Sequence, residues 1–272
     1  MSWIPTTDKE CDDMLATIGA SSLDDLFAVI PEDLKLKSWD VPPGMSEMAV
    51  RELFESIAAK NQANAVSYLG GGYYDHFVPA AVDMLSSRAE FYTAYTPYQP
   101  ECSQGTLQAI YEYQTAVCRL MNMEYANASL YDGGTAVFEA TTMAVRVTKR
   151  KRIVIHGSLN PRYRAILDTH CANLGLDLVE GDDPTDAACV IVQNPEFTGT
   201  VRDFTDLAER CHEAGALLVM STYPVALGLI KSPGEQGVDI AVAEGQSVGM
   251  PLGFGGPYLG MMATRPEHVR KM

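Results

Sequence analysis

The sequence predicts an α/β protein in which a mainly parallel β-sheet follows an α-helical N-terminal arm. From Arg152 to Ala263, short apolar runs typical of buried strands alternate with helical segments, as in parallel, doubly wound sheets. Residues 1–65 instead show apolar residues at helical spacing and no strand-like run. We therefore divide the chain into a helical arm, residues 1–65, and a large domain, residues 66–272.

The arm is predicted to contain two main helices. Thr7 or Asp8 can cap the first helix, which ends at Gly19, and Ser46 begins the second, which runs through Ile57. Residues 1–50 hold ten acidic and three basic residues, a net charge of −7. Acidic residues in such a segment most often lie on solvent-exposed helix faces. The alternative is that they form a docking surface for a basic partner.

Residues 66–106 are rich in glycine, proline and tyrosine. We expect an irregular segment with a specific role, because long aromatic loops are uncommon as mere connections. A long helix from Leu107 follows, then an extended segment at Asn127–Tyr131. Asp132 begins a turn into a helix that runs through Val147.

The alternating part of the chain defines the sheet. The predicted strands are Ile153–Ile155, Leu176–Val179, Cys189–Gln193, Leu217–Met220, Asp239–Ala243 and Tyr258–Ala263, and the predicted helices are Pro161–Asn173 and Phe204–Ala214. Gly175 and Gly215 end the two helices, since glycine readily takes the left-handed conformation that a helix end requires.

Composition excludes several classes of protein. The chain has 272 residues and a net charge of −15, which disfavours nucleic acid as a partner because phosphate binding needs a basic face. It has no apolar run near the ~20 residues of a membrane span and no secretory signal. Its six cysteines are scattered without a CxxC pair. We therefore expect a reduced, cytoplasmic protein that is not bound to a membrane.

Two glycine-containing turns are candidate binding elements. Asp132-Gly133-Gly134-Thr135 lies at a loop-to-helix transition, where free amides can receive a phosphate. The glycines can equally serve only a tight turn, and Asp132 places a negative charge there. The segment 193–199, QNPEFTG, follows a strand at the sheet edge where ligands collect, although an ordinary Asx-Pro turn has the same sequence.

The sequence contains no metal-binding or nucleophile motif. The five histidines lack HExxH or any other metal spacing. There is no GxSxG segment, and no cysteine has a recognised nucleophile signature. No metal site is therefore predicted, and we expect structural or surface roles for the histidines.

The segment 243–256, AEGQSVGMPLGFGG, connects two strand-like runs. This setting is similar to the loop of aspartate-aminotransferase-type enzymes that holds pyridoxal phosphate (PLP) on a lysine. Here Gln246 occupies the lysine position. Ser221, at the end of an earlier strand, stands where such enzymes place an aspartate that keeps the PLP ring nitrogen protonated. The likeness therefore implies a PLP-transferase-like large domain that does not bind PLP.

Several segments together resemble one family, glycine dehydrogenase (decarboxylating) subunit 1, the α-type subunit of the P-protein of the glycine cleavage system. The resemblance covers essentially the whole chain. The segments that support it are residues 16–27 (ATIGASSLDDLF), 91–108 (FYTAYTPYQPECSQGTLQ), 131–136 (YDGGTA), 193–195 (QNP), 244–247 (EGQS) and 254–260 (FGGPYLG).

The resemblance implies a supporting role in an enzyme of two subunit types. The enzyme decarboxylates glycine and transfers the aminomethyl group to the lipoyl arm of H-protein. PLP would sit on the lysine of subunit 2, in an α2β2 assembly. In this chain Tyr95, Tyr98, Gln99 and Gln104 are candidates for lining the channel of the partner's active site, and Gly133, Gly134 and Thr135 form a degenerate phosphate loop.

The resemblance also implies that a smaller C-terminal domain is absent from this chain, so that the chain alone would be inactive. Two alternatives remain open. The chain could be a non-catalytic scaffold or interaction protein with a PLP-transferase fold, and the tyrosines could simply pack a subunit interface. A free-standing PLP enzyme would have to use Lys231, which lies too early in the strand order for a Schiff-base lysine.

Overall fold

A computed structural model describes residues 5–38, 40–62, 65–66 and 68–272. The chain separates into two compact units, residues 1–67 and 68–272. The first four residues of the predicted arm lie outside the described residues. The boundary between arm and domain stays the prediction given above.

The first unit contains two helices, α1 (Asp8–Ile18) and α2 (Glu47–Ala58). Thr7 caps α1 in a reciprocal capping box, in which the Glu10 amide donates to Thr7 Oγ1 and the Thr7 amide donates to Glu10 Oε2. Gly19 ends α1 in a left-handed conformation, and Ser46 caps α2. The predicted starts and stops of both helices are therefore confirmed. Leu15 is the one buried apolar side chain among the described residues of this unit.

The second unit is built on a seven-stranded sheet. Its strands are β1 (Tyr125–Ala126), β2 (Arg152–Ile155), β3 (Asp177–Glu180), β4 (Ala187–Asn194), β5 (Leu217–Thr222), β6 (Ile240–Glu244) and β7 (Gly260–Thr264). Their spatial order is β1-β7-β6-β5-β4-β2-β3. The pairs from β3 through β6 are parallel, and β7 pairs antiparallel with both β6 and β1. The mainly parallel sheet is therefore confirmed.

Helices cover both faces of the sheet. They are α5 (Gln104–Met121), α6 (Gly133–Thr148), α7 (Pro161–Leu174) and α8 (Thr205–Glu213), and two shorter helices, α3 (Ala80–Ser86) and α4 (Ala89–Tyr92), precede them in the chain. Alternate residues of each strand point to opposite faces. Val190 and Leu218 pack in the core cluster shared with α5 and α8, whereas Ile191 and Val219 pack in the cluster shared with α6 and α7. Both faces are therefore apolar, as in an α/β sandwich.

Two predictions needed correction. Residues 66–106 are not wholly irregular, because α3 and α4 lie within them. The extended segment near residues 127–131 is also misplaced: the regular strand is Tyr125–Ala126, and Leu130 forms an isolated bridge with Gly260.

All six cysteines, each within the described residues, are free thiols.

Candidate functional site

A cavity of about 350 Å³ opens at the carboxyl ends of β4, β5 and β6. This is the edge at which parallel α/β sheets bind ligands. Its lining residues are Gly72, Tyr74, His76, Asn160, Tyr163, Gln193, Pro195, Glu196, Phe197, Gly199, Ser221, Thr222, Tyr223 and Glu244. The segment 193–199 therefore lies at the cavity, which is the position expected if this turn binds a ligand.

Ser221 is the one predicted site residue that lines this cavity. It lies near the end of β5, in register with Gln193 of β4 and Val242 of β6, and it is buried. Its hydroxyl has no ionic charge with which to hold a cationic group. Gln193 also lines the cavity, and its side chain accepts a hydrogen bond from the Asn160 amide.

Aromatic side chains close one side of the cavity. The rings of Tyr74 and Tyr223 meet edge to face at 5.6 Å, and His76 Nε2 contacts the Tyr223 hydroxyl. Burial raises the pKa of Tyr223. Gly72, at φ +100°, lies directly over the Asn160 side-chain amide, where a Cβ would clash. The glycine run that begins at Gly70 thus permits the close approach of this segment to the sheet.

Two buried carboxylates give the cavity a negative character. Glu196 pairs with Arg202, whose Nε lies 2.9 Å from Glu196 Oε1. Glu244, at the end of β6, is 5% exposed. Among the described residues that line the cavity, none is a lysine or an arginine. A small anion would therefore find little electrostatic compensation here.

The Glu244 carboxylate faces the amino-terminal end of α6. Its Oε2 accepts a hydrogen bond from the Gly133 amide at 2.9 Å, and its Oε1 accepts from the Gln246 amide at 3.0 Å. Burial raises the pKa of Glu244, and the charge of Asp132 adds to this, although the backbone hydrogen bonds act in the opposite direction. Asp132 Oδ1 accepts from the Thr135 amide at 2.7 Å. The predicted degenerate phosphate loop thus binds carboxylates of its own chain.

Gln246 is buried but does not line the cavity. It lies in a single 3-10 turn, Gly245–Val248, directly after β6. Its side-chain Nε2 donates to the Met250 carbonyl at 2.7 Å. The amide of Gln246 is therefore engaged within its own loop.

The predicted channel residues lie in a different place. Tyr95, Tyr98 and Gln99 line a second cavity, of about 560 Å³, together with Cys102 and other residues. Gln104 is the first residue of α5 and is absent from that lining. The Tyr95 and Tyr98 rings meet edge to face at 6.3 Å and are 83% and 77% exposed. None of the four residues lines the cavity that contains Ser221.

Lys231 lies outside both cavities. Its Nζ is 2.5 Å from Asp203 Oδ2, and the side chain is largely exposed. The hydrogen bond from Lys231 to Asp203 raises the pKa of the lysine. A Schiff-base lysine needs the opposite shift, because only the neutral amine is a nucleophile.

One protein family matches the sequence over the whole chain. The model of the glycine cleavage system P-protein family matches residues 1–272. The chain belongs to this family. The family resemblance that the sequence segments indicated is therefore confirmed.

Curated proteins of high sequence identity carry the name of one subunit of this enzyme. The chain is 54% identical to proteins named probable glycine dehydrogenase (decarboxylating) subunit 1 from Maridesulfovibrio salexigens and from Citrifermentans bemidjiense. Each alignment covers 100% of this chain, which spans 65% and 64% of the two relatives' lengths.

Solved structures place the fold in the same family. A crystal structure of glycine decarboxylase (P-protein) of the glycine cleavage system, in inhibitor-bound form, superposes with a TM-score of 0.91 at 43% identity. It covers 99% of this chain and 64% of that one. A cysteine desulfurase from Thermococcus onnurineus NA1 matches at a TM-score of 0.54 and 15% identity, over 72% of this chain and 53% of its own, which indicates the fold alone. The predicted PLP-transferase-like fold is confirmed.

Sequence reasoning missed several residues of the cavity in this P-protein family member. They are Tyr74, His76, Asn160, Tyr223 and Glu244. Tyr223 and Glu244 stand just beyond or at the carboxyl end of a strand, a signal that sequence reading could have used. Tyr74 and His76 come from a distant segment whose position depends on tertiary packing.

The described residues contain neither a membrane-spanning helix nor a cluster of metal-binding side chains. Within residues 5–38, 40–62, 65–66 and 68–272, no helix has the length and apolar character that a bilayer span requires. Over the same residues, no group of three or more His, Cys, Asp or Glu side chains is arranged to hold a metal ion.

Proposed function

We propose that this chain acts as subunit 1 of glycine decarboxylase in the glycine cleavage system. The observation that supports this most directly is the 54% identity, over the full length of the chain, with proteins named as that subunit. The proposed reaction decarboxylates glycine and passes the aminomethyl group to the lipoyl arm of H-protein. The proposed partners are subunit 2, in an α2β2 assembly, and H-protein, in the cytoplasm.

The residues of this chain do not fit PLP, so we assign PLP to the partner subunit. No lysine is among the residues that line the described cavity. Ser221 has no charge for the ring nitrogen, and Gln246 has no amine and is bonded to Met250. Carboxylates from Glu244 and Asp132 already bind the amides at the start of α6, where a phosphate would have to lie.

The role that we propose for this chain is to complete the partner's active site. Tyr95, Tyr98 and Gln99 cluster around a cavity of their own, with the two phenol rings largely exposed. Exposed tyrosines are costly to leave in water but favourable at an interface, where the ring packs and the hydroxyl still donates. We propose that these residues and Gln104 line the channel through which the lipoyl arm reaches the partner's site.

Assembly provides the first test of this proposal. Mixing the chain with a lysine-bearing subunit 2 is expected to give one stable complex on gel filtration, with a mass matching two copies of each. A chain that stays separate from subunit 2 would favour the alternative of a PLP-transferase fold without a catalytic partner.

A second test concerns the channel. In the complex with subunit 2 and H-protein, we expect Tyr98→Phe to reduce glycine–CO2 exchange about tenfold, because losing one hydrogen bond in the transition state costs about 1–1.5 kcal/mol. Tyr111→Phe is the matched control, since Tyr111 is also exposed (65%) but lies outside the second cavity. Unchanged exchange in both Tyr98→Phe and Gln104→Ala would contradict the channel assignment.

A third test uses the chain alone. Adding PLP is expected to give no Schiff-base absorption band, because none of the described residues that line the cavity at the sheet edge is a lysine. Lys231 is held as an ammonium by Asp203. A band that appears in the wild type and disappears in Lys231→Ala would contradict this prediction and would indicate an independent PLP enzyme.

A further inference from the structure

The amino-terminal end of α6 has the general properties of a phosphate site. The helix spans 16 residues, Gly133–Thr148, so its dipole and free amides attract negative charge at the first turn. The end lies at the ligand-binding edge of the sheet, beside the cavity that Glu244 lines. Two glycines begin the helix, and the absence of a Cβ on Gly133 lets Glu244 approach the helix end closely.

A carboxylate of the same chain already fills this end. Glu244 accepts three backbone hydrogen bonds, from Gly133 at 2.9 Å, from Gln246 at 3.0 Å and from Leu259 at 3.2 Å. These donors come from α6, from the turn after β6 and from the segment that leads into β7. Convergent N–H groups from separate segments are the usual cradle of an anion.

The surrounding packing fixes Glu244 in place. A Cβ at Gly133 would lie 2.9 Å from Glu244 Cβ and 3.1 Å from the Glu244 amide nitrogen, so the helix end and the carboxylate residue are in direct contact. The Gly245 amide also donates to the Leu259 carbonyl at 2.6 Å, which closes the loop around the carboxylate. The backbone of Glu244 is therefore fixed by the start of α6 on one side and by the segment before β7 on the other, which fixes the position of its carboxylate.

We infer that the Glu244 carboxylate is a built-in substitute for a phosphate group: it fills the anion site at the start of α6, so the chain folds without a phosphate ligand and excludes one. A phosphate approaching this end would meet the charges of Glu244 and Asp132, and like charges repel strongly in a buried setting. Removing Glu244 is expected to uncover an anion-binding site. This inference goes beyond the proposed function and does not depend on the partner subunit.

Phosphate binding by variants of the isolated chain tests the inference. In chloride, Glu244→Ala is expected to melt at a lower temperature than the wild type. Replacing chloride with inorganic phosphate at equal ionic strength is expected to raise the Tm of Glu244→Ala by roughly 5–10 °C, at a concentration about 100-fold above its Kd. The Tm of the wild type is expected not to move. Calorimetric titration should show saturable phosphate binding to the variant alone.

Glu196→Ala is the matched control. Glu196 is as buried as Glu244, lines the same cavity and pairs with Arg202, but it does not bind the start of α6. Glu196→Ala is combined with Arg202→Ala, so that no unpaired guanidinium is left to bind phosphate, and this control should gain no phosphate response. An equal gain in the control would overturn the inference, because it would show that removing any buried negative charge suffices.

A shorter polar replacement covers the case in which Glu244→Ala does not fold. If that variant is unfolded in chloride, recovery of its helical circular dichroism in phosphate supports the inference. Glu244→Ser is the second variant, and it should show the same phosphate-specific rise in Tm. Because Asp132 also places a negative charge at this end, Glu244→Ser combined with Asp132→Asn completes the series, and asparagine can still cap the helix. The inference fails if no variant of the series responds to phosphate, or if the wild type binds phosphate as tightly as they do.

Discussion

Replacing Asp239 with alanine is expected to lower the free energy of unfolding by about 3–5 kcal/mol, because the change leaves buried hydrogen-bond donors without their charged acceptor. Asp239 precedes β6 and is 3% exposed. Its Oδ2 accepts from the Leu218 amide at 2.8 Å, and His212 Nε2 lies 3.0 Å from both carboxylate oxygens. Arg265 and His268 lie slightly farther away, at 4.0 and 3.9 Å from Oδ1.

Urea unfolding of Asp239→Ala measures this effect, with Asp182→Ala as the matched control. Asp182 also pairs with a basic residue of α8, Arg210, but its side chain is 60% exposed. An exposed pair of this kind contributes at most about 1 kcal/mol. Equal losses in the two variants would contradict the assignment of Asp239 as the anchor between β5, β6 and the residues after β7.

The same carboxylate makes stability depend on pH in a defined direction. Burial pushes the pKa of Asp239 up, but the nearby His268, the hydrogen bonds from the Leu218 amide and His212, and the charge of His212 outweigh it and hold the pKa below its usual value. Its stabilisation is therefore complete above the ordinary aspartate pKa of about 4 and is lost as the pH falls through the lower folded-state value. Asp239→Asn should flatten this acid limb of the stability curve.

The core strands were predictable from sequence because the pattern that specifies them lies within a few consecutive residues. Val190, Ile191 and Val192 form a continuous apolar run, and a strand buried on both faces needs such a run. The capping residues Thr7 and Ser46 were predictable for the same reason, since each side chain bonds an amide within three residues. Where the interaction partners are neighbours in sequence, the sequence determines the structure directly.

Elements that depend on distant partners were not predictable. β1 has only two residues and exists because Tyr125 and Ala126 pair with Thr264 and Ala263 of β7. The short helices α3 and α4 have only seven and four residues, which is too short for the apolar periodicity by which helices are recognised. Nothing near either element in sequence specifies it.

The residues of the candidate site also differ in whether their roles depend on sequence neighbours or on distant partners. Ser221 was predictable because the end of a buried strand is visible in the sequence, and such ends meet at one edge of a parallel sheet. Glu244 also ends a strand, but its role depends on Gly133, which is 111 positions away. The contact forms only because the start of α6 lies beside the end of β6. That adjacency follows from the strand order, which one sequence does not specify.

Replacing Gly133 with alanine is expected to lower the free energy of unfolding by about 1–3 kcal/mol, the range for overpacking a tight interior. The new methyl group would lie 2.5 Å from the Tyr163 hydroxyl, 2.9 Å from Glu244 Cβ and 3.1 Å from the Glu244 amide. The Glu244 amide belongs to the backbone, so it cannot move away by a side-chain rotation. The helix end and the carboxylate must therefore separate, which also breaks the hydrogen bond from the Gly133 amide to Glu244.

Gly105→Ala is the matched control for this change, measured by the same urea unfolding. Gly105 also lies in the first turn of a long helix, α5, but a Cβ there would meet no atom within 4 Å. Alanine should stabilise that helix by up to about 1 kcal/mol, because it loses less backbone entropy on folding than glycine does. The two substitutions are chemically identical and should act in opposite directions. A stabilising effect of Gly133→Ala would show that the start of α6 is not in close contact with Glu244, and it would remove the basis for a carboxylate in the phosphate position.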